Sequence, residues 1–348
     1  MDRADTPSTS AWTRLLRSRS ALVGLVILAV VVAACLGSLP FTLGESPSGT
    51  ARHKAGSLDA FLLPPAWAPH GPDETQRLEA VKGAASAIDP APPYVLGTDK
   101  LGRSLLVRVL AGGGVSIGIG IAAALVSVCI GVLWGAVAGW VGGRTDAVMM
   151  RIVDVLYGLP YILLVVLFAV AGEAMVERLR GSAGGGGGSS TMGEAAERSR
   201  SLIELGVLLL AIGGVSWLTM SRVIRGQVLS LKARPFIEAA RAAGVGPVGV
   251  FTRHLLPNLL GPIIVYATLT VPQAILQESF LSFLGIGVKP PLPSWGNLVS
   301  EGLSELNPVR VRWWLLAFPC VMLAVSLVSL NLVGEAMREA FDPRSRRR

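Results

Sequence analysis

Six stretches of this chain run for 17 to 35 residues without an Asp, Glu, Lys, Arg or His: Ala21–Gly44, Val109–Gly143, Val155–Gly172, Leu205–Ser221, Leu255–Gln277 and Trp313–Gly334. A helix needs about 20 predominantly apolar residues to cross a hydrocarbon core roughly 30 Å thick. A large soluble core is the other home for apolar helices, but soluble helices keep a polar face. The segment Tyr161–Gly172, YILLVVLFAVAG, has almost no polar side chain. Composition agrees, with 51% hydrophobic and 16% charged residues against about 25% charged in soluble domains. A soluble enzyme, a disordered chain and a disulfide-rich secreted module are excluded. The expected fold class is an all-α membrane protein with six transmembrane helices.

Two runs need closer reading. As one helix, Val109–Gly143 would be about 52 Å long at 1.5 Å per residue. Gly112, Gly113 and Gly114 fall near its start, predicting a short entry segment followed by one span from Val115 to Trp140. The ten-residue run Ser279–Val288 is too short to span and reads as a re-entrant or interfacial piece.

With the N-terminus inside, the cytoplasmic segments 1–20, 144–154, 222–254 and 335–348 hold 17 Lys/Arg in 78 residues, and the outer segments 45–108, 173–204 and 278–312 hold 14 in 131. This asymmetry is what the positive-inside rule requires. The expected layout is a cytoplasmic tail (1–20), a first span (21–44), an extracytoplasmic segment (45–108), a five-helix core (109–334) and a basic cytoplasmic tail (335–348). The net charge of +8 then reflects topology and not nucleic-acid binding. The terminal Arg344–Arg348 run, RSRRR, suits anionic membrane lipid. Val32–Cys35 resembles a lipoprotein cleavage site, but the preceding basic region is long and the apolar run continues to Phe41, so a retained span is expected. Cys35, Cys129 and Cys320 all fall in spans, which implies neither a disulfide framework nor a metal cluster.

The outer segment 45–108 is rich in Pro, Ala and Gly and shows no pattern long enough for a domain. Gly181–Ser190, GSAGGGGGSS, has the composition of a flexible linker in the outer loop 173–204. Gly131, Gly135 and Gly139 recur every four residues, so they line one helix face and permit close helix approach in lipid. Pro160, Pro262, Pro272 and Pro319 are expected to kink or break helices.

No span carries a charge near its middle, which disfavours a self-sufficient secondary transporter, because ion coupling needs a titratable or ion-binding group. No G-x-x-x-x-G-K-[ST] phosphate loop occurs, so the chain does not itself hydrolyse ATP. Neither a hydrolytic triad nor a metal site is supported, and no cofactor is expected on this chain. The informative loop is 222–257, between the fourth and fifth spans. Pro235 suits the first position of a helix, Glu238 the first turn, and Ala239, Ala240, Ala242 and Ala243 propagate it. Gly244 and Gly246 can end it, and Pro247 can start the next. Arg234 and Arg241 flank a short helix with little bulk of its own, suited to a groove on another protein.

Glu238-Ala239-Ala240, then Gly244, then Leu256-Pro257 resembles the EAA signature of ABC importer permeases. His254 stands where Ile is usual, a departure seen in the oligopeptide and dipeptide branch. The stretches Leu96–Gly120, Ala138–Asp154, Arg225–Lys232, Gln277–Gly302 and Asn331–Arg344 resemble that branch in order. The resemblance implies a C-type permease subunit of the peptide/nickel group, with a type I ABC importer permease fold in the bacterial inner membrane. It implies a homologous B-type permease, two ATPase subunits carrying ATP and Mg, and an extracytoplasmic solute-binding protein as partners. Glu238, Ala239, Ala240, Arg241, Gly244, Leu256 and Pro257 would couple the chain to the ATPases. Peptides are the implied substrate, with nickel or another small solute as the alternative. Asp99 and Arg103 are expected to order the loop before the second span, and Asp146, Arg151 and Asp154 to form an ion-pair set. Glu278 is a candidate for the substrate path at the outer gate.

Overall fold

The computed structural model describes residues 18–44, 51–84, 94–182, 190–306 and 311–341. Most of the N-terminal tail, the centre of the Gly-rich tract and the RSRRR run lie outside the described residues. The helices are α1 (Arg19–Gly37), α2 (Leu39–Thr42), α3 (Pro72–Ala84), α4 (Leu105–Val141), α5 (Gly143–Tyr157), α6 (Tyr161–Ser182), α7 (Ser190–Lys232) and α8 (Pro235–Ala242). They are followed by α9 (Pro247–Phe283, with a π-helical turn at Val250–Leu255), α10 (Trp295–Ser304) and α11 (Trp313–Phe341). Among the described residues, β structure is limited to isolated bridges such as Gly56 with Arg103. Five helical stretches are long and apolar enough to cross a membrane, and a sixth if α5 and α6, bent by 92°, count as one broken span.

Two compact units form, one from Met1–Leu25, Gly120–Ala274 and Ser329–Arg348, the other from Val26–Ile119 and Ile275–Val328. In the first, the glycine face of α4 meets α7. A Cβ on Gly131 would strike Met220, one on Gly135 the carbonyl oxygen of Ser221, and one on Gly139 would come within 2.9 Å of Val228 Cβ. Only hydrogen at these positions lets the backbones come so close. Rising numbers on α4 pair with rising numbers on α7, so the two helices run parallel. A single intervening passage, through α6, returns the chain. Ala136, Met220, Ile224, Val228, Leu255 and Leu259 fill the adjoining core.

The third expected span is shifted. The helix does not start at Val155: α5 ends at Tyr157, and α6 begins after Pro160. Pro160 has no N–H to continue α5, and Gly158 N–H turns back onto the Asp154 carbonyl at 3.0 Å. The uncharged run therefore spans an elbow.

In the second unit, α4 runs unbroken through Gly112–Gly114, against the expected interruption. These glycines are packing sites. A Cβ on Gly113 would meet Cys35 and Trp295, one on Gly114 Leu39, and one on Gly112 the Ser294 backbone. Segment 51–104 also departs from expectation, because it has a small core of Ala60, Leu63, Val81 and Tyr94, with Leu78 of α3 against it. Thr98 ties this core together, accepting from Leu63 N–H at 2.7 Å while donating to the Ala60 carbonyl. Glu278–Phe283 belongs to α9 and is not a separate re-entrant piece.

Candidate functional site around the short helix 235–242

Helix α8 is built as its sequence dictates. Arg234 is extended at the N-cap (φ −85°, ψ 143°) and Pro235 takes the first position, where its missing N–H costs nothing. Glu238 lies in the first turn, where a carboxylate complements the helix dipole. At the other end Gly244 adopts φ +80°, its N–H bonds the Arg241 carbonyl at 3.0 Å, and Val245 N–H bonds the Ala240 carbonyl at 3.1 Å. This pair of bonds is the Schellman motif, which a glycine in the left-handed region completes at least cost.

Only Ile237 and Ala240 of α8 are buried. They pack with Val250, Val245 and Trp140, the last on the final turn of α4. Phe251 meets the Trp140 ring edge-on at 5.8 Å. Lys232 Nζ donates to the Trp140 carbonyl at 2.7 Å, satisfying one of the orphan carbonyls at the end of α4. Lys232 and Arg241 each lie 5.5 Å from the ring centroid. Sequence reasoning passed over Trp140, whose only signal was an aromatic at the end of an uncharged run. Nothing along the chain announces that Lys232, Arg241 and Phe251 converge on it.

The opposite side of α8 is open. Phe236, Glu238, Ala239, Arg241, Ala242 and Gly244 are exposed, and so is Val248 at the start of α9. Leu256 and Pro257 are on α9, just past the π-helical turn that holds His254, with Leu256 half-buried and Pro257 exposed. The exposed face is small and apolar around one carboxylate and one guanidinium. Acidic residues of α5 brace the end of α7 that leads into α8. Arg225 grips Asp146 with two bonds of 2.5 and 2.6 Å, and Arg222 reaches Asp154 at 2.8 Å. The partners of Asp146 and Asp154 are thus on α7, and Arg151 is in neither pair.

In the second unit, Asp99 accepts from the backbone N–H of Leu101 and Arg103, both at 2.9 Å. Its other oxygen binds Arg103 and Arg108 at 2.7 Å. Arg108, 2% exposed, also pairs with Glu301 at 2.6 and 3.0 Å. This network orders the turn before α4, with Arg108 and Glu301 as members that sequence reasoning missed. Glu278 is fully buried. Ser282 Oγ donates to it at 2.7 Å and Ser279 Oγ at 3.3 Å. Its carboxylate is held by these two hydroxyls and shut off from the surface of this chain. Among the described residues, no group of three or more His, Cys, Asp or Glu is placed to hold a metal ion.

Residues 131–347, which include α8 and its anchors, match the family described as the binding-protein-dependent transport system inner membrane component. The dipeptide transport system permease protein DppC of Bacillus subtilis is 35% identical over 99% of this chain and 90% of its own length. The oligopeptide transport system permease protein OppC of Escherichia coli K12 is 42% identical over 75% of this chain and 76% of its own. That of Haemophilus influenzae is 39% identical over 73% and 71%. With its helical spans and the short capped helix between the fourth and fifth, this chain belongs to the inner-membrane permeases of binding-protein-dependent ABC importers, the type I permease family.

Proposed function

We propose that this chain is one of two homologous membrane subunits of an ATP-driven importer that carries di- or oligopeptides across the cytoplasmic membrane. The observation that carries the reading is the exposed face of α8, a rigid Schellman-capped helix whose buried side is anchored and whose outer side holds Glu238, Ala239 and Ala242 open to a partner. Such a face suits a groove on an ATPase subunit. The relatives named for dipeptide and oligopeptide transport favour peptides over nickel. ATP and Mg belong to two partner ATPases, substrate arrives on an extracytoplasmic binding protein, and both termini of this chain lie in the cytoplasm. Closure of the ATPases on ATP would draw the two α8 helices together and swing the attached spans as rigid bodies, exposing the path to the outer side.

Reconstitution tests the reading. With the second permease, the ATPases and the binding protein in proteoliposomes, labelled tri-alanine is expected to stimulate ATP hydrolysis and accumulate inside. The chain alone is expected to take up none. Uptake by the lone chain under an ion gradient would overturn the proposal.

A further inference from the structure

Resting on that reading, we infer that Trp140 is the positioning residue through which a displacement of α8 reaches the spanning helix α4. Helix α8 touches the rest of its unit through few groups. Its two buried side chains, Ile237 and Ala240, both pack on the cluster containing Trp140. Its terminal cation Arg241 lies over the same ring at 5.5 Å. The chain after α8 is compliant by comparison, with Gly244 and Gly246, and the end of α4 is followed by Gly142 and Gly143 at φ +73° and +59°, whereas Ala233 and Arg234 join α8 directly to α7.

The ring is also gripped from the other sides. Phe251 of α9 meets it at 5.8 Å, and Lys232 of α7 both approaches its face and donates to its carbonyl at 2.7 Å. At the preceding residue, Gly139, even a Cβ would come within 2.9 Å of Val228, so α4 and α7 are in close contact there. Trp140 thus joins the ends of α4, α7, α8 and α9. A bulky planar residue with two cations on it resists tilting, because rotation would break ring packing and cation–π attraction together.

The test uses the reconstituted importer with Trp140→Leu and Trp140→Phe, reading labelled tri-alanine taken up per ATP hydrolysed and the ATPase retained through purification. Leucine keeps apolar bulk without a π face, and phenylalanine restores the face. Residues that transmit coupling shift it by about 2- to 30-fold. The leucine variant is therefore expected to lower uptake per ATP by about tenfold. Phenylalanine is expected to recover it to within about threefold of wild type, with the ATPases retained in both. A leucine variant within about twofold of wild type would overturn the inference. So would loss of the ATPases from the leucine variant alone, which would make Trp140 part of a docking surface.

If the leucine variant does not accumulate, the cycle of Arg241→Met with Trp140→Phe decides. Losses that fall short of multiplying support a shared route, and losses that multiply overturn it. A wild-type complex that fails to couple hydrolysis to uptake would instead defeat the functional reading on which the inference rests.

Discussion

Gly244 separates the cost of a bent backbone from the cost of a blocked surface. It stands at φ +80°, and a Cβ built on it meets nothing within 4 Å. Every L side chain there pays for the left-handed conformation, about 1–2 kcal/mol, and its Cβ meets no crowding inside this chain. Gly244→Ala and Gly244→Trp are therefore expected to destabilise the purified subunit equally, each lowering its thermal midpoint by a few degrees at about 2–4 °C per kcal/mol. In the assembled importer they should part company. Alanine loosens the cap by about 5- to 30-fold in its population yet leaves the outer face unobstructed. Tryptophan adds an indole at the end of the exposed face of α8, the face proposed to meet an ATPase. Co-purification of the ATPases and tri-alanine uptake should survive in the alanine variant at reduced level and be lost in the tryptophan variant. Equal uptake by the two would refute the docking face. A midpoint much lower for tryptophan than for alanine would refute the open space around residue 244.

Three other predictions follow from packing and charge. Gly135→Ala puts its Cβ onto the Ser221 carbonyl and within 3.0 Å of Arg225 N, so it should cost about 1–3 kcal/mol in detergent unfolding, whereas Gly118→Ala, with nothing within 4 Å, should be silent. Arg108→Met leaves Glu301 and one bond of buried Asp99 unanswered and should cost about 3–5 kcal/mol. Glu301→Gln should cost far less, because that side chain is 25% exposed. Burial first, and then Lys54, Arg108 and Arg103, hold the His53 imidazole below its ordinary 6.5, only partly opposed by its bond to the Thr42 carbonyl. The unfolded chain then takes up this proton first, so stability is full above about pH 6.5 and falls as pH drops below it. His53→Gln should flatten that fall in midpoints measured from pH 7.5 to 5.

Much of this was legible in the sequence. The uncharged runs located the spans, and Pro235, Glu238 and Gly244 announced α8 and its cap, because these are local effects of backbone chemistry. The glycine face of α4 was equally readable, since a four-residue period needs no knowledge of the partner. Gly112–Gly114 misled for a related reason. Glycine lowers helix propensity, yet what decides here is that Cys35, Leu39 and Trp295 need the space, and those neighbours lie far off in the chain. In lipid the backbone must in any case satisfy its own hydrogen bonds. Pro160 was readable as a helix breaker, but the size of the 92° bend there was not, because the run of uncharged residues continues through it. Trp140 and Arg108 could not be found from spacing, because their partners come from segments about 90 and 190 residues away.

The contact between α4 and α7 also acts as a ruler. Gly131, Gly135 and Gly139 meet Met220, Ile224 and Val228 in step, four residues on one helix for four on the other. Inserting one residue between Gly131 and Gly139 would turn the later glycine by about 100° and advance it by 1.5 Å, setting side chains where only hydrogen fits. Inserting four would return a residue to nearly the same face, about 40° away. Changes in chain length across this contact are therefore tolerable only in whole helical turns, and an insertion scan through 131–139 should recover assembled protein at four residues and lose it at one and two.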